Sequence, residues 1–177
     1  MSESSTRVID HVNGTVVRIE GAIDESFNLD SFTGGREVVV LDVDGVNRIN
    51  SVGIKRWRAA LHDLDARYLC FVRCRPAVVS QFNIVSGFAC GGELISFYLP
   101  YLCPQCDHSQ SMLLDLRKDR GLIESLTAPE MKCKCGAMAE FDDFPEYYLR
   151  YAHGAPPPRP PGAAQLLLDE EGLALGS

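Results

Sequence analysis

Val38-Val39-Val40-Leu41-Asp42-Val43-Asp44-Gly45-Val46-Asn47-Arg48-Ile49-Asn50-Ser51-Val52-Gly53-Ile54 is the stretch on which the fold turns. It opens with a continuous β-branched, aliphatic run. Alternate side chains on a strand point to opposite faces, so such a run reads as a central strand covered on both. Asp44-Gly45 reads as the turn that ends it. Ile54, Trp57, Ala60, Leu61 and Leu64 then recur every three or four residues, the period of an amphipathic helix, while Lys55, Arg56, Arg58 and His62 fall elsewhere. Asn50 or Ser51 is a suitable N-cap, because a side-chain oxygen there accepts from a free first-turn amide.

The flanks extend this pattern. The first six residues read as disordered. Val8-Ile9 and Thr15 to Ile19 read as a hairpin around Asn13-Gly14, a dipeptide suited to a type I′ turn. Downstream, Tyr68 to Val72 is a second buried strand. Pro76 suits the first turn of another helix, whose apolar face is Val78, Val79, Phe82 and Val85. Ser86-Gly87 ends that helix, and Leu94 to Tyr98 is a final strand. Strands alternating with helices predict an α/β layer structure over residues 7–99.

After Leu99 the composition changes. Cys103-Pro104-Gln105-Cys106 and Cys133-Lys134-Cys135-Gly136 are two close cysteine pairs, flanked by candidate strands at 112–116 and 138–141. The seven cysteines are an odd number, and the N-terminus lacks the basic and apolar regions of a secretory signal, so a disulfide framework is disfavoured. Two close pairs are instead the spacing of a structural Zn(2+) site, with Cys103, Cys106, Cys133 and Cys135 as ligands. His108 and Cys90 stand as substitute ligands, and an iron–sulfur cluster as a substitute metal group. Four cysteines leave no open coordination position for catalysis. Residues 100–153 therefore read as a small β-rich zinc ribbon, closed by a tyrosine-rich helix over 145–151. Cys70, Cys74 and Cys90 read as small apolar residues in or near the core.

From Gly154 the sequence is proline-rich, then Leu166-Leu167-Leu168 precedes Asp169-Glu170-Glu171. Residues 154–177 read as a linker and disordered tail, or alternatively as a partner-binding helix on a stiff arm.

Composition narrows the function. The net charge is −7, and no segment is basic overall, which argues against generic nucleic-acid binding. No apolar stretch is long enough to span a bilayer, so a cytoplasmic protein is expected. There is no glycine-rich phosphate loop, Gly-x-Ser-x-Gly or His-Glu-x-x-His motif, so no enzyme is expected. Between Arg48 and Arg75 seven Lys or Arg face two Asp, a local excess that reads as a docking surface for an acidic partner.

The strand ending at Leu41-Asp42, followed by Asn50-Ser51-Val52-Gly53 opening a helix, resembles the STAS family of sulfate-transporter and anti-sigma-factor-antagonist domains. Glu20-Gly21-Ala22-Ile23-Asp24 is similar to that family's earlier turn, and Val85-Ser86-Gly87-Phe88 to its later one. The resemblance implies a STAS-like mixed sheet with helices over about residues 8–99. It implies a non-enzymatic, bacterial-type signalling module that binds proteins, a serine kinase or an anti-sigma-like factor among them. Ser51 corresponds to the phosphorylated serine, and Arg48, Asn50, Lys55, Arg56 and Arg58 surround it as partner-binding residues. An unphosphorylated scaffold subunit and a nucleic-acid-binding zinc ribbon are the alternatives.

Overall fold

The computed structural model describes residues 4–29 and 36–173. Among them the chain forms two sheets and six helices, a mixed α/β architecture. The first sheet has the order β1 (Ser5–His11), β2 (Gly14–Ile23), β3 (Arg36–Ile49), β4 (Ala66–Val72) and β5 (Glu93–Leu94). β1 and β2 are antiparallel, and the remaining neighbours are parallel. β3 and β4 are joined through α1 (Ser51–His62), and β4 and β5 through α2 (Pro76–Ile84).

Three local expectations change. The hairpin pairs His11 with Gly14, so its turn is Val12-Asn13, one residue earlier than expected. Gly14 lies where a Cβ would come within 2.6 Å of the Val38 carbonyl oxygen, which is why a glycine stands there. Asp44-Gly45 does not end β3, which continues to Ile49. The register with β2 shifts between Arg18 and Glu20, and a Cβ on Gly45 would approach the Glu20 Cα to 2.9 Å. The glycine marks a bulge under close backbone approach, not a turn. At the N-terminus, Ser5 and Thr6 pair with Glu20 and Ile19 instead of being disordered, and residues 1–3 lie outside the described residues.

One face of this sheet packs on α1 and α2. Trp57 is fully buried there, with Phe27, Phe71 and Phe88 around it, and its indole Nε1 donates to the Phe88 carbonyl at 3.1 Å. That core continues into the second sheet. The expected last strand splits at Ile95. Glu93–Leu94 pairs with β4, and β6 (Ser96–Leu102) becomes the centre of a second sheet, so the expected boundary at 99/100 falls inside a strand. β6 is pinned beside β4's exit, where the Cys74 amide donates to the Ser96 carbonyl and the Tyr98 amide to the Cys74 carbonyl.

The second sheet has the order β7 (Ser109–Asp115), β6, β9 (Met138–Phe141), β8 (Met131–Lys132), with antiparallel neighbours. α3 (Arg120–Ser125) lies between β7 and β8. α4 (Pro145–Tyr148) and α5 (Arg150–Gly154) follow. Tyr148 is buried, and its hydroxyl donates to the Tyr98 carbonyl, tying α4 to β6.

The tail corrects the expectation of disorder. α6 (Gly162–Glu170) lies on the other face of the first sheet. Ala164, Leu167 and Leu168 fall at helical spacing and are fully buried against Val16, Val38, Val40, Cys70, Val72 and Ile95. Each leucine so buried contributes about 1.5–3 kcal/mol. This is the second cover that the run 38–43 demanded. The helix closes at Gly172, at φ +63°, with the Leu173 amide donating to the Leu168 carbonyl at 2.8 Å. Residues 174–177 lie outside the described residues.

Candidate metal centre and the first turn of the central helix

The four predicted cysteines meet. Cys103 follows β6 and Cys106 precedes β7, while Cys133 follows β8 and Cys135 precedes β9. Each pair therefore occupies a hairpin tip, and the β6–β9 pairing brings the two tips together. Their Sγ atoms all lie within 4.8 Å of one another, with Cys103 to Cys135 and Cys106 to Cys133 both at 3.6 Å. A tetrahedral ion about 2.3 Å from each sulfur sets the sulfurs about 3.8 Å apart, so the donors fit a thiolate-bound metal. Cys103 and Cys133 are buried, and Cys106 and Cys135 are exposed.

Both tips are closed by the backbone. The Cys103 amide donates to the His108 carbonyl at 3.0 Å, and the Cys133 amide to the Ala137 carbonyl at 2.8 Å. Each tip needs one left-handed residue, supplied by Gly136 (φ +93°) and by Asp107 (φ +53°). The sequence reading noted Gly136 and missed Asp107. The signal was available, since asparagine and aspartate are the non-glycine residues that best tolerate that conformation.

The thiols are electrostatically unlike. Burial raises the Cys103 thiol, but the Gln105 and Cys106 amides, with the Cys135 and Cys106 thiols, outweigh it and lower it. At Cys106 the His108 amide lowers the thiol, while bonds shared with Cys103, Cys133 and Cys135 dominate and raise it. Once one sulfur is a thiolate its neighbours resist ionising, and a bound cation removes that conflict. His108 serves the site through its backbone, and Cys90 lies apart, exposed, after α2. Neither belongs to the four-sulfur cluster. Cys70 and Cys74 are fully buried, as expected.

The second predicted site lies at the start of α1. Asn50 is the N-cap: its Oδ1 accepts from the Gly53 amide at 2.7 Å and its Nδ2 donates to Glu25 at 3.2 Å. Ser51 is the first helical residue. It is exposed, and its hydroxyl makes no hydrogen bond among the described residues. The turn rests directly on β2, where the Asn50 amide donates to the Ile23 carbonyl at 3.1 Å.

The basic excess is redistributed in space. Arg48 lies 3.4 Å from Asp24, Arg67 3.0 Å from Glu37, and Arg75 2.7 Å from Asp44. Arg73 pairs with the buried Asp42, which Arg18 also reaches at 3.3 Å. Lys55, Arg56 and Arg58 remain, exposed on α1, with no ion pair among the described residues. The sequence reading also missed an exposed apolar patch of Ile84, Phe144 and Tyr147, which are 73%, 71% and 63% exposed. It lies around the α2–α4 contact, beside a hollow of about 210 Å³ that Ile84, Tyr147 and Arg150 help to line.

No protein-family model matches the chain, and a comparison with curated proteins gives no match. Among the described residues, no helix is long and apolar enough to cross a membrane.

Proposed function

We propose that this chain is a non-enzymatic protein-interaction module. It combines a STAS-like sheet with a zinc-ribbon-like Cys₄ element, and its binding is switched by phosphorylation at Ser51. The observation that carries this reading is the face of α1. An exposed serine hydroxyl opens a helix that presents three cations, Lys55, Arg56 and Arg58, none of these four side chains having a hydrogen-bond or ion-pair partner among the described residues. Such a face attracts an acidic partner surface. A phosphate on Ser51 would bring a charge of about −1.5 to −2, tolerated by the helix N-terminus but opposed to an acidic partner. The sheet order and the alternation β3, α1, β4, α2, β5 support the STAS-like part of the reading.

Zinc is the proposed metal because four sulfur donors in a closed set suit it, and its role is structural. Two tips of a small sheet are clamped by the ion, and binding energy becomes folding energy.

The exposed patch of Ile84, Phe144 and Tyr147 favours a second reading, a constitutive scaffold subunit, since contiguous exposed apolar side chains mark interaction surfaces. Affinity co-purification from the native cell separates the two. A partner retained by the wild type and lost by Ser51→Glu supports the switched module. Identical partners for both sink the switch and leave the scaffold.

A further inference from the structure

The apolar face beneath α6 is the feature that neither the metal centre nor the Ser51 face uses. It belongs to a separate cluster of buried residues, on the opposite side of the first sheet from α1 and α2. The main core runs from Trp57 through β6 to Ala152 without α6. The strands beneath α6 are held by their own ladders and by that main core.

α6 is attached through its apolar face and a proline-rich tether, in which Pro158 is buried and the Ala155 carbonyl accepts from Arg120 at 3.0 Å. Residues 155–161 join it to α5, and five of these seven residues are proline. Proline has no amide to donate. Between 156 and 161 the backbone bond to the body is the Arg159 amide donating to Glu93 at 3.0 Å. Seven extended residues, at about 3.1 Å each, form a long semi-rigid tether. Apart from the apolar contact, α6 is held by partly buried polar bonds. Arg117 donates to Gln165 at 2.7 Å, Arg18 to Glu171 at 2.8 Å, and His11 lies 3.0 Å from Glu171 and 3.5 Å from Glu170.

We infer that this face is a helix-binding groove, covered in cis by α6 and open in trans to a partner protein's helix of the same chemistry. The chemistry is set by what occupies the groove. A small residue and two leucines at i, i+3 and i+4, with Leu173 after the helix, fill the apolar floor, and an acidic end meets Arg18 and His11. α6 is the competitor that a partner helix displaces. A local unit with its own small cluster and a long tether opens at lower free energy than the whole chain.

Two native thiols read this directly. Cys70 and Cys74 are both fully buried, Cys70 beneath α6 and Cys74 in the main core. The full chain with its metal is exposed to a thiol reagent, and labelling is resolved by peptide mass spectrometry. The groove predicts that Cys70 reacts about a hundredfold faster than Cys74 under native conditions. Equal rates in the wild type would overturn the proposal, whatever the variants do. Leu168→Asp should accelerate Cys70 alone, and a peptide of residues 160–173 added in trans should bind this variant and protect Cys70 again. A peptide that fails to protect Cys70, in a variant whose Cys74 stays protected, also overturns it. Wild-type chain that dimerises with Cys70 still covered would replace the partner helix by exchange of α6 between two copies.

Discussion

Gly53 packs so tightly on Ile23 that a Cβ built on it would stand 1.8 Å from the Ile23 carbonyl oxygen. The first turn of α1 therefore rests on backbone at the end of β2, and Ser51 is held at a fixed height above the sheet. Gly53→Ala must push the helix off β2. We expect a loss of about 3 kcal/mol, the upper range for overpacking, seen as a lower urea midpoint. Gly121→Ala is the control, because a Cβ there meets nothing within 4 Å, and it should be neutral or slightly stabilising. A tolerated Gly53→Ala would mean that the turn is not seated on β2.

The four-cysteine cluster, as a candidate metal centre, predicts a graded result. Cys103 and Cys133 are buried in the main core, and Cys106 and Cys135 face solvent. Serine at any of the four should reduce the metal content measured by mass spectrometry, since a closed site uses every ligand. The cost to folding should be greater for Cys103→Ser and Cys133→Ser, which also leave a buried hydroxyl, by about 1–3 kcal/mol. A chelator should lower the melting temperature of the wild type and leave the Cys103→Ser chain unaffected. Full metal content in Cys106→Ser would reduce the site to three ligands.

These two sites mark how far the sequence could be read. Each cysteine pair is local, so each tip was legible. That the tips meet depends on β6 pairing with β9 across the intervening hairpin strand and α3, which no local pattern carries. The run 38–43 correctly demanded cover on both faces, but the covering helix lies more than a hundred residues away, behind prolines and acids that read as a tail. Gly45 was legible as a backbone specialist and not as a bulge, because only the register with Glu20 distinguishes bulge from turn. The basic excess around Arg48 to Arg75 was real as a sum. In space, Asp24, Glu37, Asp42 and Asp44 neutralise four of its members and leave the α1 face.

Asp42 tests the largest of these pairings. It is 2% exposed, inside β3, and accepts from Arg73 while Arg18 approaches from β2. Replacing it by alanine leaves two guanidinium groups facing a partly buried vacancy. Removing one member of such a set costs about 3–5 kcal/mol, so Asp42→Ala should be the most damaging single change in the first sheet outside the apolar core. Asp42→Asn should recover part of the loss by keeping one acceptor oxygen. Chemical denaturation of the two variants against wild type measures both. Equal stability for all three would show that the strands carry the site without the charge.

Tyr148 provides a pH test with a defined sign. Burial is the main cause that pushes its hydroxyl far above the ordinary tyrosine value of 10, with the nearby Cys74 and Asp143 adding to it. In the unfolded chain the phenol ionises near pH 10, whereas in the folded chain it stays protonated and donates to the Tyr98 carbonyl. The folded state therefore holds more protons above pH 10. The stabilisation is fully present below that pH and is lost as pH rises toward the folded value. Tyr148→Phe should cost about 1 kcal/mol at pH 8, the worth of the hydrogen bond. Above pH 10 the wild type should lose up to about 1.4 kcal/mol per pH unit that the phenylalanine variant keeps, so their urea midpoints should converge and then cross. Parallel loss in both proteins would assign the alkaline transition to other groups, Tyr68 first, whose hydroxyl is also raised by burial and lies beside Cys70 and Glu93.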